Sequence, residues 1–192
     1  MAIDSYMFFK KYDGTLLSAE SQVDMGTASD PLSNDLKNYA KAGQLFEVED
    51  YSFDTEQVFN LSSQSTGIGA GKITLNPFSI TRKIDKSSPF FYQMSCNGTP
   101  FQQVGLALRK GAGTGASGVV FLRFDFKLVG VKTISYSHDD ESPKETVTFV
   151  YGAMVISYAQ QKSDGTFYAP LQRGWNQQKN TTDDSPNTPI AA

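Results

Sequence analysis

The sequence predicts a mainly β protein, an antiparallel barrel or sandwich carrying two short helices. Three observations carry this. Segment 119–128, VVFLRFDFKL, alternates strictly, with Val120, Leu122, Phe124, Phe126 and Leu128 on one face and Arg123, Asp125 and Lys127 on the other. That pattern is a strand with one buried and one wet face. Segment 145–158, ETVTFVYGAMVISY, sets Val147, Phe149 and Tyr151 against Thr146, Thr148 and Val150, and Gly152 marks a bulge or bend. Further strand-like runs at 3–10, 45–54, 72–84, 103–109 and 130–137 are separated by Gly, Asp and Ser turns.

In chain order, IDSYMFFK at 3–10 is the first strand. Residues 29–43, SDPLSNDLKNYAKAG, predict a helix over about 31–42, because Ser29 or Asp30 caps it, Pro31 opens it and Gly43 closes it. Leu32, Leu36 and Tyr39 form a narrow apolar stripe, enough to lean on a sheet. In 45–54, Glu47, Glu49, Tyr51 and Phe53 share one face, and Phe46, Val48, Asp50 and Ser52 the other. In 72–84 the alternating Ile73, Leu75, Phe78 and Ile80 are interrupted by Pro77, which argues for an edge or a bulge. The run SPFFYQMSCN at 88–97 predicts the second helix, capped by Ser88, opened by Pro89 and released by Asn97-Gly98. Its Phe90, Phe91, Met94 and Cys96 are expected in the core. The stretch 179–192, with few apolar residues and two prolines, reads as a disordered tail behind a single domain over 1–178.

Composition narrows the function classes. The chain has 192 residues, 39% of them hydrophobic, and a net charge of −3. That is enough apolar mass for a core, and the wrong sign for a nonspecific nucleic-acid binder. One cysteine excludes an internal disulfide, and one histidine excludes any mechanism that needs two. GIGAGK at 67–72 lacks phosphate-loop spacing and leads into a strand, as does GAGTGASG at 111–118, so both read as loops. His138 in YSHDDESP reads as part of a solvated acidic turn. No G-x-S-x-G elbow is present. Trp175 is the only tryptophan, read as an anchor for the C-terminal strand or, alternatively, as a sugar-stacking platform. Neither a catalytic constellation nor a cofactor or metal site is expected. MAIDSYMFFKKYDG does not resemble a secretory signal, and no window is apolar enough to insert in a membrane, so synthesis in the cytoplasm is expected. The residues by themselves point to a binding or structural protein.

The segments MAIDSYMFFKKYDG at the start, GKITLNPFSITRKIDKSSP at 71–89, CNGT at 96–99, VGLALRKGAG at 104–113, FKLVGVKTISYS at 126–137, VTFVYGAMVISYAQQKSDG at 147–165 and GWN at 174–176 form an ordered set. Together they resemble the Hcp family of bacterial type VI secretion. The stretch 18–43 and the tail after Asn180 depart from the family pattern. The resemblance implies a two-sheet barrel with one flanking helix, in a subunit that forms hexameric rings. It also implies that rings stack into a tube inside a sheath, with a spike protein at the tip and effector proteins in the lumen, expelled without a cleaved signal. On that basis Ser65, Gly67, Ile68, Gly69 and Gly71 are expected in a ring-stacking loop, Asp50 and Ser52 toward the lumen with Tyr51 and Phe53 in the barrel, and Ser88, Pro89 and Trp175 as structural anchors. The alternatives are a β-sandwich module binding carbohydrate or protein, and the tail-tube subunit of another phage-like contractile particle.

Overall fold

The computed structural model describes residues 3–26, 30–60, 69–110, 118–138 and 142–191. Strand β1 (Ile3–Lys10) falls where the sequence places it. Helix α1 (Leu36–Lys41) is shorter than expected. Asp30 explains why: its carboxylate accepts from the Leu32 N–H and the Ser33 hydroxyl, which builds a separate turn. Asp35 then caps the helix proper, and Gly43 follows at φ 63°.

The expected strand 45–54 is two strands, β2 (Phe46–Val48) and β3 (Asp50–Ser52). The bend at Glu49 reverses the alternation. Phe46 and Val48 face inward before it, and Tyr51 and Phe53 pack on the same core after it. One unbroken period would have sent those two pairs to opposite faces. A two-arm ribbon follows, built from β4 (Thr55–Glu56), β5 (Phe59–Asn60), β6 (Gly69–Ala70) and β7 (Thr74–Leu75). Pro77 ends it, and β8 (Phe78–Lys83) begins.

Helix α2 (Ser88–Asn97) matches its expected span, but Ser87 takes the cap position and Gly98 closes the helix at φ 67°. Strand β9 (Phe101–Lys110) is followed by β10 (Val119–His138) and β11 (Pro143–Tyr158). The two runs expected at 119–128 and 130–137 are thus one strand. Leu128, at φ 50°, drops out of the β10–β11 register opposite Gly152, and there the hairpin changes course. Strands β12 (Leu171–Asn176) and β13 (Thr181–Thr182) complete the chain.

The main sheet runs β13-β12-β11-β10-β9-β1-β2, while β11 also pairs with β8 and β8 with β3. Because β2 and β3 are consecutive, and the Glu49 N–H donates to the Thr81 carbonyl at 2.9 Å, the path returns on itself as a closed barrel. Its interior is aromatic. Phe9, Phe78, Phe101, Phe126 and Phe149 are at most 1% exposed, and Phe78 stacks on Phe126 at 4.1 Å and on Phe149 at 4.8 Å. Gly105 pairs with Phe8, whose ring would lie 2.1 Å from a Cβ there, so only glycine fits.

Two expectations are overturned on the outer face. Arg123, Asp125 and Lys127 are 7%, 0% and 1% exposed, not wet. Residues of the 16–45 segment form a second apolar layer with the outer face of the sheet, in which Met25, Leu32, Leu36 and Leu45 pack with Phe8, Ala107, Val120 and Ala159. Local alternation identifies two faces but not a second layer arriving from elsewhere in the chain. The tail is the other correction. Residues 179–191 lie on the barrel, with β13 paired to β12, Asp183 holding Lys127 at 2.9 Å, and Ile190 buried. A segment poor in apolar residues is ordered here by backbone pairing and a buried counter-charge.

Candidate assembly surfaces

The ribbon is the first candidate surface. Thr55 pairs with Leu75 and Glu56 with Thr74 at its base, and Phe59 with Ala70 and Asn60 with Gly69 farther out. Between these pairs the Gly71 N–H donates to the Val58 carbonyl at 2.7 Å, and the Gln57 side-chain amide donates to the Gly71 carbonyl. A Cβ at Gly71 would stand 3.0 Å from the Val58 oxygen, so glycine is what lets the arms approach. Of the expected stacking residues, Gly69 and Gly71 thus sit in paired arms rather than a free loop, while Ser65, Gly67 and Ile68 lie outside the described residues. Val58 and Phe59 are 59% and 57% exposed, an apolar pair the sequence reading missed because it gave the ribbon no strands.

Asp50 and Ser52 are exposed on β3, opposite Thr81 and Ser79. Phe53 enters the core, 4.9 Å from the Phe124 ring and 5.5 Å from Phe126. Tyr151 lies deeper, and burial, with the Asp54 charge assisting, pushes its phenol up to about 12. Its hydroxyl has no hydrogen-bond partner. A raised folded pKa favours the neutral form, so this contribution is whole below the unfolded pKa near 10. It is lost as pH rises from there through about 12. Tyr151→Phe is expected to be at least as stable as the parent at pH 7 and to lose less stability between about pH 10 and 12. Urea midpoints measured across that window check this, and identical alkaline losses in the two proteins would refute it.

The α2 entry is a buried polar knot. Arg82 is within 2.5 Å of Glu145 and 3.1 Å of Asp85, and it donates to the Ser87 and Ser88 hydroxyls at 2.8 and 3.1 Å. Ser88 donates to Glu145 at 2.9 Å. Its hydroxyl therefore ties the helix start to β11 instead of capping the helix. Burial opposes the Asp85 charge, but hydrogen bonds from Arg82 and Ser87 and the Arg82 charge outweigh it and hold its pKa below the ordinary value. Pro89 is exposed in the first turn, where its missing N–H has no cost. Phe90 and Cys96, expected inside, are exposed, whereas Phe91 and Met94 are buried.

On the outer face, Arg123 makes two bonds of 2.9 Å to Asp125 and reaches Asp35 at 2.7 Å. Gln103 donates to Asp125 at 2.8 Å. Burial pushes the Asp125 carboxyl up while Arg123 pulls against it. Trp175 sits across from Met154 and Thr182 and lines an open groove of about 260 Å³ with Ile73, Leu75, Met154 and Ile156. Trp175 thus stands between the last long strand on one side and the tail pairing on the other. Among the described residues, no three His, Cys, Asp or Glu side chains converge to hold a metal ion, and no helix is long and apolar enough to cross a membrane.

The closed antiparallel barrel with its flanking helix is a fold shared with solved type VI secretion proteins. One such structure superposes over 95% of this chain and 100% of its own, with a TM-score of 0.74 at 20% identity. Hcp1 from E. coli EAEC 042 superposes over 87% of this chain and 97% of its own, with a TM-score of 0.63 at 18% identity. Those identities speak to fold alone. The sequence itself matches the family model described as "Type VI secretion system effector, Hcp" over residues 38–158. It is also 30% identical to the protein Hcp1 of Pseudomonas aeruginosa over 112 residues, spanning 57% of this chain and 68% of that one. The chain belongs to the Hcp family of the type VI secretion system.

Proposed function

We propose that this chain is a structural subunit of a type VI inner tube. Six copies form a ring, and rings stack through the ribbon. The tube grows inside the sheath, carries the spike at its tip and effectors in its lumen, and leaves the cytoplasm by contraction. Asp50 and Ser52 line that lumen, and Gly69 and Gly71 shape the stacking ribbon together with Ser65, Gly67 and Ile68. The observation that carries this reading is the ribbon. An isolated two-stranded ribbon is marginal in water, and this one presents Val58 and Phe59 to solvent. It gains stability by laying that pair on a neighbour. Each contact is weak, and six acting together are strong.

Deleting residues 64–69 tests this. The variant is expected to keep the ring mass by light scattering, to lose tube growth at high concentration, and to fail in secretion. Normal secretion would refute the stacking role, and a monomer mass for the parent chain would refute the ring.

A further inference from the structure

The ribbon offers an apolar pair, and the same chain holds an apolar groove that no described residue fills. Val58 and Phe59 are 59% and 57% exposed. The groove, of about 260 Å³, is lined by Ile73, Leu75, Met154, Ile156 and Trp175, with Thr55 and Arg173 beside them. Ile156 stays 40% exposed there. An apolar cavity of roughly 150 Å³ takes a benzene molecule, so this groove has room for a phenyl ring and an isopropyl group.

The chain's own pair cannot fill it. Thr55 and Leu75, paired at the base of the ribbon, are part of the groove wall, whereas Phe59 pairs with Ala70 farther out. Four residues of extended chain put Phe59 roughly 13 Å beyond Thr55.

Charge points to the ribbon of a second copy as the occupant. The one charged residue on the groove is Arg173, whose side chain is 75% exposed and whose ion pair with Asp184 is a loose 3.9 Å. The ribbon carries the opposite charge, since Glu56 is exposed and enters no ion pair among the described residues. The spacings agree as well. Glu56 stands two residues before Val58 and Arg173 two before Trp175, about 7 Å along an extended chain in each case. A projecting patch and a matching groove on different surfaces of one molecule make a head-to-tail contact, in which every copy gives one and receives one.

We propose that the Trp175 groove seats the Val58–Phe59 pair of a second copy's ribbon, with Arg173 taking that ribbon's Glu56. The inference rests on the stacking reading of the ribbon and deepens it by naming the receiving surface.

Short-range cross-linking of the full chain tests this. Cys96 is exposed, so Cys96→Ser is the background. One chain carries Asn60→Cys beside the apolar pair, and another, distinguished by an affinity tag, carries Thr55→Cys on the groove. A short bismaleimide is expected to join the two in a concentrated mixture. Assemblies that sediment as the parent does but give no such product would overturn the groove as the seat and leave ribbon stacking intact. A parent chain that forms no assembly would overturn both. Asn60→Cys chains joining each other as readily would show ribbon meeting ribbon, against the proposal. Charge reversal supplies the second arm. Glu56→Arg and Arg173→Glu should each raise the concentration needed for assembly by about tenfold or more, through like charges placed face to face. Both changes in one chain should restore it, with all three variants melting as the parent does. A double variant no better than the single ones would overturn the Glu56–Arg173 contact.

Discussion

Phe91→Ala is expected to destabilise the protein by about 3–5 kcal/mol, the usual loss for truncating a fully buried aromatic. Phe91 is 0% exposed, and its ring lies 4.9 Å from Phe9 and 6.0 to 6.2 Å from Phe101, Phe149 and Phe46. These neighbours come from β1, β9, β11 and β2, so a single side chain of α2 joins four strands. Their backbones are held by the closed barrel and cannot collapse into the void, which places the cost high in its range. Phe90 is the internal control. It is 47% exposed, with the Lys11 ammonium 5.2 Å from its ring centre. Phe90→Ala should cost about 1 kcal/mol or less, the scale of an exposed cation–π contact. Urea unfolding of the two variants checks the pair. Equal midpoints would show that α2 does not seat Phe91 in the barrel.

Arg82→Met should have an effect of the same order, about 3–5 kcal/mol, for a different reason. The guanidinium is 2% exposed and faces Glu145, whose side chain is 0% exposed. Removing it strands a carboxylate in the core with only the Ser88 hydroxyl as donor. The same change strips Asp85 of its cation and removes the planar group above Phe46 and Phe91. Replacing both charges, as Arg82→Met with Glu145→Leu, should recover much of the loss, because two apolar groups leave no ion unpaired. Thermal unfolding of the single and double variants measures the difference. A double variant less stable than the single one would mean that the knot is held by its hydrogen bonds rather than by charge pairing. There is also an acid signature. Asp85 has a lowered folded pKa, so its contribution is present above the ordinary carboxylate value and is lost as pH falls through the folded one. The Arg82→Met chain should show less of that acid-side loss than the parent.

The elements whose signals are local were legible in the sequence. Strand β1, the long β10–β11 hairpin, the break at Pro77 and the span of α2 follow from period-two alternation, proline geometry and a helix exit at Gly98. The family, too, could be reached from ordered motifs, because residues such as those in DKSSP and GWN build the α2 entry and the β12 edge. The aromatic content announced a β core without saying which ring meets which. The direction of Phe90 against Phe91 was not readable, since adjacent apolar residues on a short helix both look like core.

Tertiary structure alone decided the outer face and the tail. Arg123, Asp125 and Lys127 have the spacing of a solvated face, and in isolation they would be one. They are buried because α1 and its flanking segment arrive from one side and the C-terminal tail from the other, each bringing a carboxylate, Asp35 and Asp183. Likewise the bend at Glu49 that turns both Phe46 and Phe53 inward comes from closing the barrel between β1 and β8, partners 30 or more residues away along the chain on one side. Alternation is a property of neighbours in sequence and is written there. Burial of a charge is a property of neighbours in space, and it becomes favourable only once the distant counter-charge is in place.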